Sequence, residues 1–265
     1  MIPKNITKMI LGYYETRFSN FGDQLSRVIV EKLLKREIKT INLANDKNIS
    51  GKLLALGSIF HYAKSQDIIW GTGINPRWQK QKRLSLFFNP LKDLDIRAVR
   101  GPLTRRYLEQ KMNIDCPEVY GDPALLLPNL FPKLKPNPKK EYGIIPHVKD
   151  LPLFLDNPNL ISPSGDWKKV IKSILKCKLI ISSSLHGLIV AEAFGIPARW
   201  LHSSNLPSFK NEGTFKYNDY YASTNRSLND YASTIEQALK MKGKEKIKDF
   251  NYKALLDSFP YDKFE

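Results

Sequence analysis

The sequence predicts an α/β protein made of two Rossmann-like domains facing a cleft. Three observations predict it. Short apolar runs alternate with amphipathic stretches through most of the chain. A segment dense in proline and lysine, residues 129–140, interrupts that alternation. Beyond it lies the most regular unit: Leu179-Ile180-Ile181, then three serines, then an almost wholly apolar run over 185–194 closed by Gly195 and Pro197. The β-branched run reads as a buried parallel strand, the serines as a helix start, and glycine and proline as its stop. The expected domains are 1–132 and 133–265, with a C-terminal helical tail packing back on both.

Taken in order, residues 8–13 predict a first strand, 15–22 a polar loop, and Asn20-Phe21-Gly22-Asp23 the opening of a helix. Leu25, Val28, Ile29, Leu33 and Leu34 recur in it at helical spacing. Residues 53–57 predict a strand, 58–63 a short helix, and 67–71 a strand ending in Gly71-Thr72-Gly73. Strand 96–99 leads through Arg100-Gly101-Pro102 into a helix over 103–111, with glycine and proline as the expected punctuation. Gly121-Asp122-Pro123 is a turn into an apolar segment. After the linker come strands at 142–146 and 160–162, a helix over 167–177, the central strand–helix unit and a strand at 198–201. Residues 215–222 are aromatic and polar, suited to stacking on sugar or to domain packing. The tail has helical periodicity over 233–241 and 250–259.

Candidate site residues fall where strands end, because open parallel sheets bind ligands beyond their carboxyl ends. His186 stands in the first turn of a helix that otherwise has no use for a titratable group, beside Ser183, Ser184 and free backbone N–H groups. That setting suits an anionic ligand and proton transfer. Arg100, at another strand end and beside another helix start, is the candidate bidentate anion clamp. Asn20, Gly22 and Asp23 line the first strand–loop–helix turn. Asp23 reads equally as a first-turn carboxylate favouring the helix dipole. Gly73 marks a turn at the same sheet edge, and His147 and His202 each follow a strand. His61 reads either as a core histidine or as a member of the site.

The charge narrows the partners. With 42 Lys+Arg against 26 Asp+Glu the formal net charge is +16. Nucleic acid, an anionic membrane surface or a strongly anionic small substrate would each fit. Basic clusters at 77–83, 133–140 and 240–248 come without any zinc-finger, basic-zipper or aromatic RNA-binding signature, so nucleic acid is not expected. Cys116 and Cys177 lack metal-ligand spacing, residues 1–11 lack the apolar stretch of a signal peptide, and no run approaches a membrane span. The expectation is a cytoplasmic protein, peripheral to the inner face of the membrane, with no metal.

The run Ser-Ser-Ser-Leu-His-Gly-Leu-Ile-Val-Ala-Glu-Ala-Phe-Gly-Ile-Pro from Ser182 resembles the C-terminal signature of the polysaccharide pyruvyl transferase family. Asn20-Phe21-Gly22-Asp23, Gly57-Ser58-Ile59, Trp70-Gly71-Thr72-Gly73, Val99-Arg100-Gly101-Pro102-Leu103-Thr104 and Gly121-Asp122-Pro123-Ala124 agree in the same order. The resemblance implies a glycosyltransferase-B-like fold and transfer of pyruvate from phosphoenolpyruvate, as a ketal, to a sugar of a cell-surface polysaccharide or its lipid-linked precursor. It implies no cofactor beyond that donor. His186 would then move the proton, and Arg100 and the helix start at 183–187 would hold the donor. Many relatives carry arginine where Ser184 stands, which shifts anion binding here toward Arg100, other basic groups and backbone N–H donors. A nucleotide-sugar glycosyltransferase of the same fold and a non-catalytic glycan-binding protein are the alternatives.

Overall fold

Among the described residues, eight short strands form two parallel sheets. The computed structural model describes residues 9–15, 20–46, 48–75, 91, 93–209, 213–244 and 246–264. The first sheet contains β1 (Ile10–Tyr13), β2 (Thr40–Asn42), β3 (Lys52–Leu54), β4 (Ile68–Trp70) and β5 (Asp95–Ala98), in the order β2-β1-β3-β4-β5. The second contains β6 (Gly143–Ile145), β7 (Ile180–Ser182) and β8 (Ala198–Trp200), with β7 central. In the first sheet the order reverses between β1 and β3, where Leu11 pairs Leu53. Such a switch point opens a crevice at the strands' carboxyl ends. Lys8 and residues 16–19 of the expected first strand and loop, and the 77–83 basic cluster, lie outside the described residues.

Helix α1 (Phe21–Leu34) starts where Asn20 Oδ1 accepts from Gly22 N at 3.0 Å, and Leu25, Ile29 and Leu33 face inward. It ends at Lys35, whose φ of 54° lies in the left-handed region. Helix α2 (Pro102–Met112) opens on proline, whose missing N–H is no loss there. A 3-10 turn, Pro123–Leu126, leads into the short α3 (Leu127–Leu130). Helix α4 (Trp167–Ile174) is capped by Asp166, and α5 (Leu185–Ala193) follows β7 directly. Then come α6 (Phe215–Ser223), α7 (Ile235–Met241) and α8 (Tyr252–Asp257).

Four sequence expectations change form. Residues 58–63 hold only a 3-10 turn, Phe60–Tyr62, and residues 160–162 contribute a single bridge, Leu160 to Ile144. The aromatic stretch at 215–222 is a helix with Tyr217, Tyr220 and Tyr221 buried. The proline–lysine segment is stitched to the end of α4: Asn137 N donates to Leu175 O at 2.8 Å and Lys139 N to Lys176 O at 2.6 Å.

One cluster of buried apolar side chains runs from Leu11 and Leu25 through Trp70 and Leu125 to Ile180, Leu188, Tyr217 and Phe259. The two halves also interlock at the start of α1, where Phe21 N donates to Pro163 O at 2.9 Å. Tail residues reach both sheets: Trp70 Nε1 donates to Leu255 O at 3.0 Å, and Lys244 N to Ala198 O at 2.9 Å. No helix among the described residues is long and apolar enough to cross a membrane.

Candidate active site

Helix α5 brings a histidine into an apolar interior. Residues 185–192 are all buried, and His186 is 8% exposed. Its ring lies against the first turn of α1, where a Cβ added to Gly22 would sit 2.2 Å from His186 Nδ1. Only glycine permits that approach, so Gly22 seats the histidine. On the ring's other side, Nε2 lies 3.7 Å from Oδ2 of Asp122, a residue with no exposed surface. Asp122 Oδ1 accepts from Ala124 N at 3.0 Å, capping the 3-10 turn that packs on α5. Asn20, through its cap on Gly22, belongs to the same corner, and Asp23 follows in the first turn of α1.

The serines divide their work. Ser182 Oγ donates to Ile145 O at 2.7 Å and accepts from Ser184 N at 3.0 Å. Ser183 Oγ accepts from His147 N at 2.9 Å and donates to Asp150 Oδ2 at 2.6 Å. Asp150 also takes Ser208 N and Oγ, at 2.8 and 2.7 Å, and is wholly buried. Ser184 is the N-cap of α5 and makes no side-chain cap bond. It therefore leaves the first N–H groups of this helix unclaimed by its hydroxyl.

Arg100 sits in a second, fully buried nest. Its Nε donates to Asp219 Oδ2 at 3.0 Å, Nη1 to Ser58 Oγ at 2.6 Å and Nη2 to Ile74 O at 3.1 Å. Gly73 makes room for it, since a Cβ there would meet the guanidinium carbon at 2.3 Å. Asp219 Oδ1 accepts from Leu103 N and Thr104 N at 2.9 and 3.0 Å, supplying the cap that Gly101 cannot. The residue expected as an anion clamp is thus ion-paired with a carboxylate inside the protein. Its partners tie together the turns that follow β3 and β4.

Helix α6 links the two nests. Asp219 reaches Arg100, while Tyr217, half a turn earlier, donates from Oη to Ser183 O at 2.8 Å. His147 joins the serine network, as its backbone N–H bond to Ser183 shows. His61 lies against Tyr62, with ring centroids 4.1 Å apart. His202 stacks on Trp200 and Phe209 at 4.1 and 4.4 Å, and Trp200 stacks in turn on Tyr217 at 4.1 Å. Burial lowers the His202 pKa from the ordinary 6.5. Asp150 and Asp219 carry no sequence signal of a site role, and Asp122 reads first as a turn residue before proline and only second as one that reaches the cleft. All three are acids whose partners are distant in the chain.

Residues 20–205, which carry both nests apart from Ser208 and α6, match the family model for polysaccharide pyruvyl transferase. The chain belongs to the polysaccharide pyruvyl transferase family. The succinoglycan biosynthesis protein ExoV of Rhizobium meliloti (strain 1021) is 30% identical over 224 residues, 78% of this chain and 62% of ExoV. An uncharacterized Acanthamoeba polyphaga mimivirus protein is 28% identical over 257 residues, 85% of this chain and 84% of the viral one. The crystal structure of an uncharacterized Klebsiella pneumoniae protein superposes with a TM-score of 0.49 at 16% identity, covering 80% of this chain and 88% of the other. Both family segments around His186 and Asp122 lie inside the matched region.

Proposed function

We propose that this protein transfers pyruvate from phosphoenolpyruvate to two hydroxyls of one sugar in a cell-surface polysaccharide or its lipid-linked precursor, forming a cyclic ketal. The observation that carries the reading is His186: a buried imidazole at the start of an apolar helix, within the segment that places the chain in its family. A proton passes from His186 to the methylene carbon, which becomes a methyl group, and the neighbouring carbon becomes cationic. A sugar hydroxyl attacks that carbon, the bond to the phosphate oxygen breaks, and the second hydroxyl closes the ring. One hydroxyl proton restores His186 and the other leaves with inorganic phosphate.

The donor's carboxylate and phosphate need N–H donors and positive charge. The uncapped start of α5 offers the first, and the strongly basic chain the second. Ser184 and Gly22 border that start, with Asn20 and Asp23 beside it, and Ser183 and His147 brace it. Arg100 enters as a positioning group, because its guanidinium is engaged by Asp219, Ser58 and the Ile74 carbonyl. His61 and His202 are assigned to the acceptor side. In this reading residues 1–132 and 133–265 are two domains with the cleft between them, in a glycosyltransferase-B-like arrangement. The acceptor meets the enzyme at the inner face of the membrane.

The test is phosphate release from phosphoenolpyruvate across a panel of sugar and lipid-linked sugar acceptors, with mass spectrometry of the acceptor. Ketal formation should fall by about two to four orders of magnitude in His186→Gln, the range for a lost general acid. Release of a nucleoside diphosphate from nucleotide sugars, with no pyruvate transfer, would replace this reading with glycosyl transfer.

A further inference from the structure

Two buried polar atoms that face each other across the floor of the site make no hydrogen bond: Nε2 of His186 and Oδ2 of Asp122. They are 3.7 Å apart, with the carboxylate wholly buried and the histidine side chain 10% exposed. A carboxylate oxygen and a ring nitrogen left without partners in a dry interior are each costly. One proton on Nε2, with a small closing movement, would satisfy both.

Among the described residues, most titratable groups on the elements packed around the pair already have partners. The 3-10 turn after Asp122 and α3 contain no titratable side chain. On α1, Asp23 follows Gly22, and Arg27 and Glu31 pair with each other. At the far end of α5, Glu192 is held by Arg226 at 2.5 Å and by Tyr220 and Tyr221. On β8, Arg199 pairs with Asp230. Tyr217 spends its hydroxyl on Ser183 O.

We propose that Asp122 is the positioning residue of His186. Its carboxylate accepts a hydrogen bond from Nε2–H, and so leaves Nδ1, the nitrogen beside Gly22, to exchange protons with the reactants. In the doubly protonated ring that starts the cycle, the Nδ1 proton goes to the methylene carbon and is replaced from a sugar hydroxyl, while the Nε2 proton stays on the ring, hydrogen-bonded to the carboxylate, throughout. The seating of the ring makes this assignment specific. Gly22 blocks rotation from one side, and the backbone cap on Ala124 fixes the carboxylate on the other. The assignment of Nδ1 to catalysis rests on the pyruvyl-transfer reading, whereas the His186–Asp122 pairing does not.

The experiment separates the two. Asp122→Asn keeps an oxygen for the Ala124 cap but cannot accept a full ionic hydrogen bond. Nitrogen-15 spectra of the imidazole, recorded without substrate at pH 8, should show wild-type His186 protonated on Nε2 and the Asn variant a mixture of tautomers. In turnover, Asp122→Asn should lower kcat by about 10²–10⁴-fold, as a misdirected acid does, with KM for phosphoenolpyruvate within about threefold. Wild-type protein carrying its proton on Nδ1 would overturn the proposal without any variant. So would a folded Asn variant with an unchanged spectrum and unchanged kcat. A tautomer shift in a protein that transfers no pyruvate would support the pairing and reject the reaction.

Discussion

His202 shows what a single titratable residue contributes when rings replace water around it. Trp200 and Phe209 stack on it and Tyr231 meets it edge-on at 4.9 Å. Burial lowers its pKa from 6.5, so the unfolded chain binds this proton more tightly than the folded one. The contribution to stability is complete above the unfolded value and is lost as pH falls below it toward the folded value. Thermal midpoints measured from pH 8 to pH 5 should decline below about 6.5, and His202→Phe should flatten that part of the curve. An identical decline in the variant would remove His202 as its source. At this scale the sequence revealed what was chemically out of place. His186 stood out because an apolar helix gives a histidine nothing to do. Asp219 was hidden among tyrosines in a stretch with no strand end nearby, and Asp122 looked like any residue before proline. Their partners come from other parts of the chain, which one-dimensional spacing does not encode.

Among the elements, α6 is the one whose loss should cost most. It carries Asp219 to Arg100 and to the start of α2, Tyr217 to the serine turn, and Tyr220 and Tyr221 to Glu192 of α5. Asp219→Ala would leave the Arg100 guanidinium buried without its counter-charge, a loss of about 3–5 kcal/mol. Urea denaturation should show that loss. Adding Arg100→Met should cost less than the sum of the two single changes, because the stranded charge is then gone. A single variant within about 0.5 kcal/mol of wild type would mean that the pair does not hold the helix. Periodicity made most elements legible: α1, α2, α4 and α5 begin within a residue of where their apolar spacing and caps place them. β2 escaped notice because Thr40, Ile41 and Asn42 are all half-buried and show no alternation. Residues 160–162 looked like a strand, but only Leu160 bridges β6, so apolar content there serves packing more than pairing.

For the whole molecule, the charge of +16 needs a place to act. The parallel α/β architecture was legible because each strand–helix unit carries its own local signals. The gathering of lysines from separate segments was not. Lys133, Lys135 and Lys139 of the proline-rich segment meet Lys172 and Lys176 of α4 and its end around a groove of about 260 Å³, with Leu175 among its lining. Among the described residues, none of the five pairs with a carboxylate. Uncompensated ammonium groups over an apolar floor suit an anionic lipid surface, where each adds about 1 kcal/mol at low salt. Vesicles containing phosphatidylglycerol should therefore retain the protein at low ionic strength and release it as salt rises past the physiological range. Replacing Lys133, Lys135, Lys172 and Lys176 by Gln removes about 4 kcal/mol, so partitioning should drop by up to roughly a thousandfold. Turnover on a water-soluble acceptor should be unchanged, since none of the four touches His186, Asp122 or Arg100. Equal vesicle binding by the variant would move the membrane contact elsewhere on the molecule. Salt-resistant binding to DNA, lost in the same variant, would assign the groove to nucleic acid instead.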